Sequence, residues 1–266
     1  MLQTRTISVR CALSTELELY DVVQVQVTSK EDKWAIICLN CITQIAALDA
    51  GLKVREVPVF GKPFGMDMFI YGIIDEVDFN EKKEPVILEL KTRANSTRLP
   101  STYQQRKNEL QVMLYMKLFN DLLFEKINLE EFATSLGLAK DKKLSEGPVT
   151  FATQNCTSIT TFGDVLKALL TRIQCSNVST VKFAVIEYCL QENCHVIQRK
   201  KISFDEKWLE LQLKRLLPYW KGERPTRGVE IEEAWKCQRC DFADVCAWRT
   251  MKEEECRKSN RPSKKC

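Results

Sequence analysis

The chain has 266 residues, of which 44% are hydrophobic, and a net charge of +4. That length and apolar content suffice for one sizeable core, while the small charge argues for local basic surfaces and against a globally polycationic binder. No apolar run approaches the ~18 residues of a bilayer-crossing helix, so no membrane span is expected, and a single histidine, His195, excludes a multi-histidine zinc site.

Taken in chain order, the first fifteen residues carry Arg5 and Arg10, several Ser and Thr, and no acid. This composition has a faint mitochondrial-transit character. A helical pattern follows from Asp32 to Asp49, then a strand at Lys53–Phe60 and a turn at Gly61–Gly65. Two apolar runs come next, Gly72–Asp78 and Val86–Lys91, joined by the turn-forming Asn80–Pro85, which reads as a hairpin. A long helix spans Thr102 to Glu125, and Lys140–Pro148 reads as a polar linker. Thr161 or Asp164 starts a helix through Leu166, Leu169, Leu170 and Ile173. Strands at Val181–Leu190 and Cys194–Phe204 lead to an amphipathic helix, Asp205–Trp220, with Trp208, Leu211, Leu213, Leu216 and Leu217 mostly facing the core. Lys221–Val229 is a loop, and the chain beyond Arg249 reads as a charged, disordered tail.

The hairpin carries charge where a buried strand should carry none. Asp75 sits on its first strand, and Glu89 and Lys91 end its second. Two carboxylates offer oxygen ligands to Mg²⁺, a hard ion that keeps several waters. The backbone carbonyl of Leu90 is a further candidate ligand. Lys91 lies two residues past Glu89, so both leave the strand on one face. Its ammonium is placed to orient a water or to balance charge on a pentavalent phosphate. Asp75, Glu89 and Lys91 therefore form the arrangement of a metal-dependent phosphodiester nuclease. The plain alternative is an exposed, salt-bridged strand pair. The apolar Ile73-Ile74 and Val86–Leu88 argue against it, because they imply burial and unpaired buried charge is costly. Glu76 should point away from Asp75, and Asp78 should be solvated near the strand end.

From Lys91 to Lys107 the chain holds five basic residues and no acid. Arg93, Arg98, Arg106 and Lys107 are candidate contacts for a nucleic-acid backbone; a solvated loop is the plain reading, and adjacency to the carboxylates favours the functional one. On the following helix, Gln111 and Tyr115 share a face four residues apart.

Twelve cysteines are many for this length. They read as reduced thiols of an intracellular protein. Cys38, Cys41, Cys175 and Cys189 have apolar surroundings and read as small core residues. Cys237, Cys240 and Cys246 form a Cys-x2-Cys-x5-Cys segment that suits an iron–sulfur cluster or zinc, although only three ligands are local. A zinc module using these thiols and His195 or another thiol is the alternative; His195 otherwise reads as an ordinary strand residue. Cys256 and Cys266 fall in the polar tail.

Several stretches, Glu16–Val23, Lys30–Ile36, Arg55–Gly61, Ile74–Glu76, Glu89–Arg93, Gln111–Tyr115 and Glu232–Arg249, together resemble the exonuclease V family, a RecB-like branch of the PD-(D/E)xK nuclease superfamily. The resemblance implies an α/β, restriction-endonuclease-like core, a mixed central sheet flanked by helices, with a C-terminal iron–sulfur cysteine segment. It implies Mg²⁺-dependent exonucleolytic degradation of single-stranded DNA in repair or genome maintenance. It puts the metal-binding acids on Asp75 and Glu89, the catalytic lysine on Lys91, the helical motif on Gln111 and Tyr115, and three [4Fe–4S] ligands on Cys237, Cys240 and Cys246. The family's fourth cluster cysteine and a preceding helical segment lie upstream of the stretch that matches Glu16. Only Cys11 stands nearby here, close to the matched helix, so either the chain is an N-terminally shortened form or Cys11 or another thiol substitutes. The family's histidine in the first core helix has no counterpart at Arg10–Leu13, which leaves Glu16 or Glu18 to approach the metal. The transit-like reading is discounted because the matched helix begins at once.

The resulting expectation is one nuclease domain over residues 1–249, including the cysteine segment at 230–249, and a tail at 250–266. It would act as a monomer on single-stranded DNA, with a single-strand DNA-binding protein as a plausible partner. Nucleus and cytoplasm are the expected compartments, with the mitochondrion as the other. The competing class is a non-catalytic single-stranded DNA-binding protein, a shortened form unable to assemble its cluster.

Overall fold

The computed structural model describes residues 27–94, 98–124, 127–154, 158–229 and 231–259. Glu16, Glu18, Cys11 and Cys266, and the expectations placed on them, lie outside those residues. The described chain forms two compact units, one running to Leu99 and resuming over Asn108–Leu209, the other made of Pro100–Lys107 and the chain from Glu210 onward.

The first unit is mixed α/β. Helix α1, Lys30–Asp49, starts at an N-cap where Ser29 and Asp32 form a reciprocal capping box. The Asp32 carboxylate also accepts from the Thr28 hydroxyl at 2.7 Å and from the Ser145 backbone N–H at 2.9 Å, which ties the start of α1 to a segment far along the chain. Burial alone would raise the Asp32 carboxyl, but the hydrogen bonds from Ser145 and Thr28 outweigh it and hold the carboxyl at about 2.

Strand β1, Val54–Gly61, pairs antiparallel with β2, Ile70–Phe79, which pairs antiparallel with β3, Pro85–Arg93. The β2–β3 turn is fixed by Asn80, whose side-chain oxygen accepts from the N–H groups of Lys82 and Glu84 at 2.9 Å each. Helix α2, Thr102–Leu123, starts the crossover; α3, Leu129–Ser135, α4, Glu146–Gln154, and α5, Phe162–Gln174, complete it. Strand β4, Phe183–Leu190, then lies parallel to β3, and β5, Val196–Ser203, closes the sheet antiparallel to β4. The sheet order is β1-β2-β3-β4-β5. The result is a mixed five-stranded sheet flanked by helices.

Hydrophobic burial anchors α2 over the centre of this sheet. Val112, Met116 and Phe119 on the helix are buried, as are Val77, Ile87, Ala184, Ile186 and Tyr188 on the strands. Full burial of each large apolar side chain is worth roughly 1.5–3 kcal/mol. Polar bonds fix the alignment. Asn108 donates to the Tyr188 hydroxyl at 3.1 Å, and the Asn120 amide exchanges bonds with the Val181 backbone at 2.9 and 3.0 Å. A second cluster joins Trp34, Phe60, Phe69 and Phe132; the Phe60 and Phe132 rings stack with centroids 5.1 Å apart.

Several elements depart from the sequence reading. Ile73 is exposed while Ile74 is fully buried, so the apolar pair does not enter the core as a unit. The Lys140–Pro148 segment bridges to Thr161 through Lys143 and runs into α4 from Glu146. Helix α3 was hidden by its short apolar pattern; Asn128 caps it by accepting from the N–H groups of Glu130 and Glu131. Cys175 is exposed at the end of α5, not a core residue, whereas Cys38, Cys41 and Cys189 are buried.

The last helix of the sheet-bearing chain, α6, spans Glu206–Trp220. Its core-facing positions are Leu209, Leu213 and Leu217, four residues apart, while Leu211 and Leu216 are exposed. In the second unit, 3₁₀ segments at Ile231–Arg239 and Ala243–Val245 lead to α7, Ala247–Ser259. The chain therefore continues as helix past Arg249, where its charge reads as a disordered tail. The Arg249–Glu253 pair at 2.9 Å and the Lys252–Glu255 pair at 2.7 Å lie along that helix.

Candidate active site

The site grows from the open end of the β2–β3 ladder. Strand partners run from Phe79 opposite Pro85 to Glu76 opposite Leu88, and the ladder stops there. At the next position Asp75 takes over the role of a strand: its Oδ2 accepts the Leu90 backbone N–H at 2.8 Å. A side chain has replaced a backbone acceptor, which holds the Asp75 carboxylate against β3 in one orientation. Glu76, as expected, points elsewhere and accepts from Arg55 at 2.8 Å, and Asp78 is exposed.

Glu89 shares the alternation of buried Ile87 on β3 and is only 2% exposed. Its Oε1 accepts from Lys91 Nζ at 2.6 Å and from Gln111 Nε2 at 2.8 Å. Lys91 Nζ also donates to Gln111 Oε1 at 2.8 Å, and Gln111 Nε2 to the Tyr115 hydroxyl at 3.0 Å. Helix α2 thus lays a polar ladder, Gln111 and Tyr115, over the two charged ends of β3. The backbone of β2 makes room for it at Gly72, where a Cβ would meet Tyr115 Cε1 at 2.6 Å.

Glu89 Oε2 is buried and, among the described residues, has no hydrogen-bond partner. Burial pushes the Glu89 carboxyl up; Lys91 and Gln111 oppose that shift, and the neighbouring Asp75 charge adds to it. A desolvated carboxylate with one unused oxygen, beside a second carboxylate on the adjacent strand, fits a hard divalent cation. Asp75 and Glu89 are the residues that would hold it. Lys91 keeps its amine beside that position without contributing a ligand.

One acid of the site escaped the sequence reading. Glu56 on β1 lies between Arg55, opposite Glu76, and Val57, opposite Ile74, so it stands across from Asp75. Burial and the charge of Asp75 raise its carboxyl. Counting back along the β1–β2 register from Asp75 would have found it.

The basic residues divide between the units. In the first, Arg93 ends β3 with its Nε buried and, among the described residues, without a partner, and Arg98 is exposed. In the second, Arg106 is exposed and Lys107 lies over the Tyr103 ring, 4.4 Å from its centroid. There too the Ser101 hydroxyl donates to Glu233 at 2.9 Å.

Cys237 and Cys246 are half-buried and Cys240 is exposed. Among the described residues no three His, Cys, Asp or Glu side chains converge closely enough to hold a metal, so these thiols are not gathered into a ligand set. Cys38 and Cys41 are unsuited to one: burial lifts the Cys38 thiol well above its ordinary value and Cys41 to about 12. Cys41 instead donates to the Pro58 carbonyl at 3.5 Å. His195 is exposed just before β5.

The fold is a mixed five-stranded sheet flanked by helices, and its acid–lysine cluster brings two carboxylates and one amine together at the end of β3. Residues 12–86, 80–161 and 150–249 match the family model described as exonuclease V, a 5′ deoxyribonuclease. The chain is 38% identical to exonuclease V of Danio rerio over 237 residues, which cover 89% of this chain and 59% of that protein. The chain belongs to the exonuclease V family. It spans about 59% of the length of this curated relative. A solved structure titled "Crystal structure of SSO0001" is 12% identical and covers 81% of this chain and 85% of its own, with a TM-score of 0.36.

Proposed function

We propose that this chain hydrolyses phosphodiester bonds of single-stranded DNA from an end, with Mg²⁺ held by Asp75 and Glu89. The observation that carries the reading is the unpartnered, buried Oε2 of Glu89 beside Asp75 and Lys91. A buried carboxylate with an unused oxygen is costly in a purely structural role.

Bound Mg²⁺ would supply polarisation of the scissile phosphate and activation of a water. The protein's own residues do the rest. The Leu90 N–H fixes Asp75, and Gln111 and Lys91 fix Glu89. Lys91 Nζ, partly exposed, would donate to a phosphate oxygen or to the attacking water and offset charge in the transition state. Tyr115 holds the Gln111 amide in the orientation that serves both neighbours. Arg93, Arg98, Arg106 and Lys107 bind the strand's phosphates, a contact that weakens with salt.

The [4Fe–4S] cluster belongs to the same proposal. It rests on the spacing of Cys237, Cys240 and Cys246 within the family-matched region, with a fourth thiol outside the set, and its role would be to staple the segment. Action in DNA repair, coupling to a single-strand DNA-binding protein, a monomeric state, and nuclear or cytoplasmic residence, with the mitochondrion as alternative, extend the proposal from the family.

The test is degradation of single-stranded DNA labelled at either end, beside a circular strand and a duplex, with Mg²⁺ or EDTA. The reading expects Mg²⁺-dependent loss of linear single strands, starting at the 5′ end as the family description suggests, and an intact circle. Binding without cleavage in Mg²⁺ or Mn²⁺ would make the chain a DNA-binding protein. Iron and sulfide analysis of anaerobically purified protein tests the cluster, with about four irons per chain expected.

A further inference from the structure

Glu56 is expensive where it stands. It occupies a left-handed backbone conformation, φ 53°, inside a β-strand, a setting that strains a non-glycine residue. Its neighbours Arg55 and Val57 keep their partners on β2, so the register places Glu56 opposite Asp75, whose charge it feels. Like charges in that relation repel. Among the described residues Glu56 has no ion-pair partner: the adjacent Arg55 is taken by Glu76. The strained turn of the chain is held from outside, since Gln44 on α1 donates to the Arg55 carbonyl at 2.8 Å. Strain, repulsion and partial desolvation fall on one carboxylate, and among the described residues no ion pair offsets them. The next acid along this face is Glu89, whose buried Oε2 also lacks a partner.

We propose that Glu56 is a third acid of the cation site, facing the ion from β1 and hydrogen-bonding water that the ion retains. The three acids do not close on one point as a direct ligand set. A hard cation of the Mg²⁺ class keeps several waters, and a carboxylate opposite Asp75 is placed to accept from them. Glu56 is thus a positioning residue: it orients water around the ion and relieves its own repulsion from Asp75 only when the ion is present. The inference rests on the proposed Asp75–Glu89 cation site.

The experiment is Mn²⁺ binding to the full chain without DNA, read from the loss of the free Mn²⁺ electron paramagnetic resonance signal, for wild type, Glu56→Gln and Asp75→Asn. Thermal melting with and without Mn²⁺ accompanies it. Glu56→Gln should weaken Mn²⁺ binding by about tenfold, the lower end of the range for partners beyond the direct ligands. It should also melt higher than wild type in EDTA, because the repulsion is gone, and gain less from Mn²⁺. A residue that merely packs would not raise the cation-free melting temperature and lower the cation response together. Wild-type Mn²⁺ affinity in Glu56→Gln, with binding lost in Asp75→Asn, overturns this inference and leaves the cation site standing. No Mn²⁺ binding by wild type overturns both.

Discussion

Asp75 accepts the backbone N–H of Leu90 at 2.8 Å at the point where the β2–β3 ladder ends. One carboxylate therefore does two jobs. It completes the edge of the hairpin and presents its remaining lone pairs beside Glu89.

That double role separates two substitutions. Asp75→Ala leaves the Leu90 N–H without its acceptor and should cost about 1–3 kcal/mol. Asp75→Asn keeps an acceptor at the same place and should cost under ~1 kcal/mol. Both should lose cation binding. Urea denaturation of the two variants checks the difference; equal destabilisation would mean that the Leu90 bond is made by water as readily as by Asp75.

Glu89 gives a pH signature. Its carboxyl is raised in the folded protein, so its contribution to stability is full below its unfolded value near 4.5 and is lost as pH rises through the folded value. Without cation at neutral pH, the buried charge is therefore a burden. Glu89→Gln should match or exceed wild-type stability in EDTA at neutral pH, and the gap should close on acidification toward pH 4.5. Melting temperatures across that range test it. In the same way protons should compete with the cation, so metal affinity should fall from above pH 4.5 downward.

Gly72 is tied to Tyr115 by space alone. A Cβ at Gly72 would stand 2.6 Å from Tyr115 Cε1, so Gly72→Ala must displace the ring. Overpacking of this kind costs about 1–3 kcal/mol. It should also loosen the Gln111 amide that Tyr115 orients and lower turnover more than substrate binding. The Gly72→Ala/Tyr115→Ala double variant should recover part of the lost stability, a non-additivity that a double-mutant cycle measures.

The hairpin, and the meeting of Asp75, Glu89 and Lys91 at one end of it, were legible in the sequence because charge interrupts apolar strands and Glu89 and Lys91 are spaced by two. The alternation of strands and helices was legible in the apolar runs, while the mixed sheet was implied by the family resemblance. Ile73 and Leu211 were misplaced because a run of apolar residues does not reveal which of them faces out; the twist of β2 and the stripe of α6 decide that. Helices α3 and α4 were missed because they are short; α3 is capped locally by Asn128, and the residue before α4, Ser145, is tied to Asp32 far along the chain. Glu56 was overlooked for another reason: its relation to Asp75 lives in strand register, not in either local motif.

The N-terminus of α1 should set acid stability. The Asp32 carboxyl is held at about 2 against an ordinary value of 3.8, so its contribution is present above 3.8 and is lost as pH falls toward 2. The shift corresponds to about 2 kcal/mol. Asp32→Asn should lower stability by about that much at neutral pH, and the difference from wild type should vanish below about pH 2. A difference that persists unchanged at that pH would assign the effect to packing.

The measurement that bears most directly on the central claim is cleavage of linear single-stranded DNA by wild type and Asp75→Asn at matched DNA occupancy, in Mg²⁺ and in EDTA. Wild type should degrade the strand only with Mg²⁺, and Asp75→Asn should bind it while losing at least about a hundredfold in rate, the order expected when charge stabilisation is removed. Equal cleavage by the two proteins, each free of contaminating nuclease, would contradict the assignment of the reaction to the Asp75–Glu89–Lys91 site.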